Sequence, residues 1–135
     1  MIAIVDTGPL YAAVDADDDD HERCVAVLEQ ADHRLLIPAL VVAEAAWLVG
    51  SRLGPGVEGA FLRGLRHVEV EAPGPEDWDR IAELMEKYGD FPLGGTDASV
   101  VALAERLDTE TIVTLDRRHF GAVRPRHREA FRLLP

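Results

Sequence analysis

The sequence predicts an α/β fold: a mainly parallel sheet covered by helices on both faces. Two observations carry that expectation. Short apolar runs with strand character alternate along the chain with longer segments of helical periodicity, which implies right-handed crossovers between parallel strands. Two of the short runs, Ile2 to Val5 and Thr111 to Leu115, end directly on an aspartate, and in open α/β sheets functional groups gather at the carboxyl ends of strands.

Taken in order, Ile2 to Val5 reads as a buried strand, closed by Asp6-Thr7-Gly8-Pro9, a break that can open a helix. The run Asp17 to Asp20 precedes a helical pattern in which Cys24, Val27, Leu28 and Ala31 share one face. Its acids suit a helix N-terminus through the macrodipole. Metal binding by these consecutive aspartates is the weaker reading, because adjacent side chains on a turn diverge. Leu35 to Ile37 reads as the second strand. Pro38 suits the first turn of a helix running to about Arg52, broken by Gly54 to Gly56. A helix to about Leu65 and a strand near Val68 to Val70 follow. Pro73 to Pro75 leads into a helix with Trp78, Ile81, Ala82 and Met85 on one face. Gly94-Gly95 starts the next, with the stripe Val100, Leu103, Ala104 and Leu107. Ile112-Val113 is a strand, and Phe131 to Leu134 closes the chain as another.

A length of 135 residues suits one compact domain spanning the chain, and a 47% hydrophobic content supplies a core. Cys24 is the single cysteine, so no internal disulfide forms, and no paired Cys/His spacing suggests zinc. The N-terminus enters a strand without a basic leader, and the apolar stretch Leu35 to Gly50 is too short for a membrane span. A cytoplasmic protein with no membrane partner is expected. The net charge of -11 opposes nucleic-acid binding, but it is unevenly placed. Met1 to Asp116 carries 8 Lys+Arg against 24 Asp+Glu, a balance of -16, whereas Arg117 to Pro135 carries 6 Arg against Glu129 alone, a balance of +5. The asymmetry is that of a basic edge beside an acidic body, or of a solvated basic tail.

The strongest chemical signal is a set of acids in segments that otherwise read as buried. Asp6 ends Ile-Ala-Ile-Val, Glu44 is the only charge between Arg34 and Arg52, and Asp116 ends Thr-Ile-Val-Thr-Leu. A buried ionised carboxylate costs several kcal/mol, roughly, unless an arginine, a proton, backbone amides or a metal compensates it. No arginine has a comparable position inside the apolar segments, which adds weight to a metal. Each acid also has an ordinary alternative: Asp6 and Asp116 as turn residues, Asp97 after Gly-Gly-Thr as a helix-starting residue. Oxygen-only clusters prefer hard cations such as Mg²⁺ or Mn²⁺.

The segments Ile-Val-Asp6-Thr-Gly-Pro-Leu, Val-Ala-Glu44, Thr-Asp97-Ala-Ser-Val-Val-Ala-Leu-Ala and Thr-Leu-Asp116-Arg-Arg-His-Phe resemble, in order, the four motifs of PIN-domain proteins. The resemblance covers nearly the whole chain and is closest to the toxin half of bacterial VapBC toxin–antitoxin modules. It implies a three-layer α/β/α sandwich and a Mg²⁺- or Mn²⁺-dependent endoribonuclease acting on structured RNA, tRNA or ribosomal RNA. It assigns Asp6, Glu44, Asp97 and Asp116 as catalytic metal ligands, with Thr7 and Thr114 as hydroxyl donors beside them. It also implies a cognate antitoxin, and an arginine of that partner suits insertion into the acidic site.

Several further residues carry weaker signals. Asp90 is a candidate fifth acid or an exposed loop residue. Arg117, Arg118 and His119 are candidate RNA contacts, with solvation and an ordinary loop histidine as the alternatives. Trp47 and Trp78 read as core or dimer contacts rather than base-stacking platforms. The apolar segment Pro38 to Gly50 exceeds what one small sheet covers, so a homodimer is expected. Two other functions compete: a fold-retaining binding module without catalysis, and a phosphatase or receiver-type protein using Asp6 as nucleophile. The latter normally pairs its aspartate with a lysine, and Lys87 sits on an exposed helix.

Overall fold

The computed structural model describes residues 1–30 and 32–135. Five strands form one sheet in the order β3-β2-β1-β4-β5, with β1 Ile2–Val5, β2 Arg34–Pro38, β3 Glu69–Glu71, β4 Thr111–Val113 and β5 Arg132–Leu134. All four pairings are parallel; Ile4 faces Leu36 on one side and Ile112 on the other. β1 is thus central, and Ala3, Ile4 and Val5 are fully buried. A strand enclosed on both faces needs no polar alternation, which is why Ile-Ala-Ile-Val is continuously apolar.

Among the described residues there are also seven helices: α1 Thr7–Val14, α2 His21–Leu28, α3 Ala39–Leu53, α4 Pro55–Gly64, α5 Pro75–Lys87, α6 Gly95–Arg106 and α7 Arg117–Ala122, with a 3-10 turn at Leu65–His67. From β1 the chain steps outward to β2 and β3, then returns across β1 to β4 and β5. Right-handed crossovers therefore place α1 to α4 on one face and α5 and α6 on the other, giving three layers. The packing agrees: α1 lies against α2 and α3, α3 against α4, and α5 against α6. The reversal of strand order makes the gap between β1 and β4 the switch point, where a crevice opens at the carboxyl ends.

Most expected elements are present, and the departures have local causes. Pro38 ends β2 in extended geometry and caps α3 instead of entering it. The break after α3 is Gly54 alone, whose φ of 91° suits glycine; Gly56 lies inside α4, behind Pro55 at its first position. In α5 the buried side is Asp77, Ile81 and Leu84, whereas Trp78 (52% exposed), Ala82 and Met85 face outward. Asp77 is buried because its carboxylate accepts from the Gly74 amide at 2.8 Å and from Arg106 Nε at 2.8 Å. Trp47, 69% exposed on α3, is also not a core residue. α6 is buried continuously from Ala98 to Ala104, a wider stripe than expected, with Leu107 only half-buried beyond it. Cys24 and Val27 are buried in α2 as expected; Ala31 lies outside the described residues. Asp20 precedes α2 without capping it by its side chain, which instead accepts from Arg23. No helix among the described residues is long and apolar enough to cross a membrane.

The expected basic edge is partly neutralised. Arg126 pairs with Glu83 at 2.7 Å, and Arg128 pairs with Asp108 at 2.9 Å and Glu110 at 3.5 Å. Arg117 donates to the carbonyl of Pro135, and Arg118 lies 5.3 Å from the Phe91 ring centre.

Of the ion pairs that join α5 to α6, Arg80–Glu105 is more sheltered than Arg106–Asp77. Arg80 bonds Glu105 through Nε at 2.7 Å and Nη2 at 2.9 Å, with the two side chains 13% and 10% exposed. Removing one partner strands a desolvated charge. Glu105→Gln is expected to lower unfolding stability by about 2 kcal/mol. Arg34→Ala, which breaks the exposed pair with Glu69, should cost less than about 1 kcal/mol. Urea unfolding of both variants checks the ranking; equal losses would refute it.

Candidate active site

Asp6 stands where β1 leaves the sheet. Its amide still donates to Val113 at 2.9 Å, continuing the ladder to β4, so the side chain is aimed into the switch-point crevice. Asp116 follows the end of β4, and Asp97 sits in the first turn of α6. Glu44 projects from the second turn of α3. These four acids line one cleft of about 590 Å³, together with Thr7, Gly8, Tyr11, Asp18, Leu48, Arg52 and Leu115. Four carboxylates from four separate elements thus meet at one place.

Their surroundings differ from the burial expected of Asp6, Glu44 and Asp116. Only Asp6 is buried, at 6% exposure; Asp97 and Asp116 are half-buried and Glu44 is exposed. Glu44 occupies the side of α3 that forms the cleft wall, so an apolar sequence context did not mean an apolar environment. Asp6 Oδ2 accepts from Thr114 Oγ1 at 2.8 Å, and the Thr7 amide donates to the same carboxylate. Burial nevertheless pushes the Asp6 carboxyl up to about 6, outweighing those two bonds, with Asp97 and Glu44 adding repulsion. Asp97 is also raised, first by burial and then by Asp116 and Glu44, while the Gly94 amide and His119 act against it. The Thr7 hydroxyl is buried at the cleft and finds no hydrogen-bond partner among the described residues.

His119 is not a loop residue. It lies in α7, where its amide donates to Asp116 Oδ1 at 2.9 Å and its Nδ1 meets Asp116 Oδ2 at 2.7 Å. Its ring packs on Phe91 at 4.7 Å between centres. It therefore holds Asp116 rather than lining the cleft. The Asp116 amide donates to Thr114 Oγ1, so one threonine links the ends of β1 and β4. Asp90, Arg117 and Arg118 do not line the cleft; Asp90 is exposed in the turn after α5.

Sequence reasoning missed Tyr11, Asp18, Leu48 and Arg52. Glu44, Leu48 and Arg52 stand four residues apart along α3, which places them on one helical face, and that spacing was the available signal. Arg52, at the end of the apolar segment, lines the same cleft without pairing with any of its acids among the described residues.

The donor set is wholly oxygen, which suits a hard divalent cation and not zinc or a soft metal. The unpartnered Thr7 hydroxyl and the raised Asp6 fit the same group, since a cation stabilises the ionised form. Among the described residues no three acidic, His or Cys side chains are already drawn together in a coordinating arrangement.

A parallel α/β sheet with an acidic crevice at its switch point defines the class of open α/β proteins whose functional groups meet at the strand ends. Within that class, the PIN domain family model matches residues 3–124, and the chain belongs to this family. It is 38% identical over 134 residues to ribonuclease VapC26 of Mycobacterium tuberculosis, covering 98% of this chain and 99% of that protein. The fold is similar to that of Mycobacterium tuberculosis VapC20, a sarcin–ricin loop cleaving toxin, with a TM-score of 0.75 and 19% identity, over 83% of this chain and 87% of that one. It is likewise similar to a chain of Rickettsia felis VapBC2 bound to a promoter DNA fragment, with a TM-score of 0.73 and 17% identity over 100% of both.

The raised Asp6 carboxyl has a defined sign for stability. The folded state holds that proton up to about pH 6, while the unfolded chain releases it near 3.8. Stability from this group is therefore whole below 3.8, falls as pH rises through the window to about 6, and stays reduced above it. In chelator, Asp6→Asn is expected to exceed the parent in stability by up to about 3 kcal/mol at pH 7.5, with the gap closing towards pH 4. Denaturant unfolding at both pH values measures it; a gap independent of pH would contradict the assignment.

Proposed function

We propose that this protein is a metal-dependent endoribonuclease, the toxin of a toxin–antitoxin pair, hydrolysing phosphodiester bonds in structured RNA such as tRNA or ribosomal RNA. The observation that carries the reading is the convergence of Asp6, Glu44, Asp97 and Asp116 on one cleft, in a chain related over its length to a ribonuclease.

These four carboxylates would hold Mg²⁺ or Mn²⁺. When bound, such ions supply charge for the scissile phosphate and lower the pKa of an attacking water. The chain's own residues set the frame. Thr114 turns Asp6 into the cleft, the Gly94 amide orients Asp97, and His119 fixes Asp116 through two bonds. Thr7 offers a hydroxyl at the floor with its hydrogen-bonding capacity unused. No cysteine, serine or histidine nucleophile lines the cleft among the described residues, so water is the attacking group. The receiver-type alternative is not favoured: Lys87, the only lysine, lies exposed at the end of α5, away from the cleft.

An antitoxin partner follows from the same reading. Solved structures with this fold include a toxin–antitoxin complex from Klebsiella pneumoniae, with a TM-score of 0.71. A partner arginine suits the acidic cleft because it stays charged and forms forked hydrogen bonds to carboxylates, so it would compete with the cation. A homodimer is supported by Trp47, Val57 and Leu62, all exposed on the paired helices α3 and α4.

Two outcomes are expected. The purified protein should cleave RNA in Mg²⁺ or Mn²⁺, leaving 5′-phosphate and 3′-hydroxyl ends, and stop in excess chelator. Glu44→Gln and Asp97→Asn should each reduce cleavage at least about 100-fold while remaining folded. Chelator-resistant cleavage or 2′,3′-cyclic phosphate ends would defeat the mechanism. In light scattering at micromolar concentration and moderate salt, the chain should run as a dimer and Trp47→Glu should shift it towards monomer; a parental monomer would overturn the interface.

A further inference from the structure

We infer that Arg52, seated on Tyr11, forms a phosphate subsite for the nucleic-acid backbone beside the acidic cluster. The inference rests on the nuclease reading above and adds a substrate-binding residue to it.

Five acids line the cleft, Asp6, Asp18, Glu44, Asp97 and Asp116, and Arg52 is the single cation among its described lining residues. An arginine beside so many acids would ordinarily fold onto one of them. Arg52 instead makes no ion pair within 4 Å among the described residues; its guanidinium carbon lies 4.9 Å from the Tyr11 ring centre. Cation–π contact holds such a group without neutralising it. Tyr11 is a fixed platform, 7% exposed, with its hydroxyl donating to Asp15 Oδ2 at 2.6 Å. Asp15 feels the Arg52 charge without pairing with it; its two oxygens accept from the Tyr11 hydroxyl and the Asp17 amide.

The position along α3 gives the geometry its meaning. Glu44, Leu48 and Arg52 face the cleft from successive turns. Eight residues of helix separate the first from the last, about 12 Å. A cation at that remove is too far to compete for the metal-holding carboxylates, and it is placed to meet a backbone phosphate flanking the scissile one. The ligand chemistry is that of a phosphodiester: a planar guanidinium with no carboxylate paired to it within 4 Å among the described residues, in a cleft whose acids would otherwise repel the strand. Leu48 between them offers an apolar surface for sugar or base. A protein of net charge -11 needs such a local contact, because its overall field disfavours RNA.

The test measures RNA binding by the cleavage-dead Asp97→Asn chain over a range of salt, with Arg52→Ala, Arg52→Lys and Tyr11→Leu added to it. Losing one phosphate contact should flatten the slope of log K against log salt by about 0.7 on single-stranded RNA. Arg52→Ala is expected to do so and to weaken binding roughly tenfold across RNA sequences alike. Arg52→Lys should keep the parental slope, because the charge remains. Tyr11→Leu should weaken binding with the slope retained. In the otherwise unaltered enzyme, Arg52→Ala should raise KM with kcat within about twofold, as for a binding interaction equal in ground and transition states. An unchanged slope in Arg52→Ala, or Lys behaving as Ala, overturns the subsite. Absence of metal-dependent RNA cleavage by the parent would defeat the nuclease reading itself, whereas normal parental cleavage with an unchanged slope defeats only the assignment of Arg52.

Discussion

The carboxylate of Asp6, buried where β1 meets β4, is the constraint around which the molecule is arranged. It lies at the switch point because β1 is central and the chain passes to one side of it before returning to the other. Thr114 and the Thr7 amide offset part of the cost of burying it, yet its carboxyl still rises to about 6. Asp97 and Glu44 add repulsion instead of relief. A fold that placed this group for stability alone would have matched it with an arginine, as it does for Glu105 with Arg80. A divalent cation held there, as proposed, would offset the burial and the repulsion together.

Charge is organised locally rather than globally. Two of the C-terminal arginines, Arg126 and Arg128, are absorbed in ion pairs with acids of α5 and of the segment between α6 and β4. The cleft contains a single positive group, held on an aromatic ring at the far end of the helix that carries Glu44. Such a division separates an acidic end from an end carrying a cation within one groove. It allows an acidic protein to engage a polyanion without a broad basic face. The same groove, acidic at its head and apolar at Leu48, is suited to a partner segment carrying an arginine beside apolar residues.

Much of the architecture was legible in the chain itself. Five strands and the helices α2 to α6 were read at nearly their observed bounds, because parallel strands and helix breaks depend on local composition, whereas the short α7 was read as loop. Asp6, Asp97 and Asp116 were legible for a similar reason: each follows a strand end or opens a helix, and order along the chain carried the match to the family. Their degree of burial was not. Glu44 is exposed in the cleft wall, and of the stripe expected on α5 only Ile81 faces inward, beside Leu84 and an Asp77 buried by its bonds to Gly74 and Arg106.

What the sequence by itself determined is therefore the sheet, its strand ends and the acids attached to them, since these follow from patterns spanning a few residues. Tertiary structure alone decided which of those acids is desolvated, that His119 in α7 grips Asp116, and that Arg52 stands on Tyr11 across the cleft. Tyr11 and Arg52 are 41 positions apart in the chain, and Thr114 reaches Asp6 across 108. Contacts of that range exist only once β4 is paired with β1 and α3 is packed on α1, and no local periodicity encodes them.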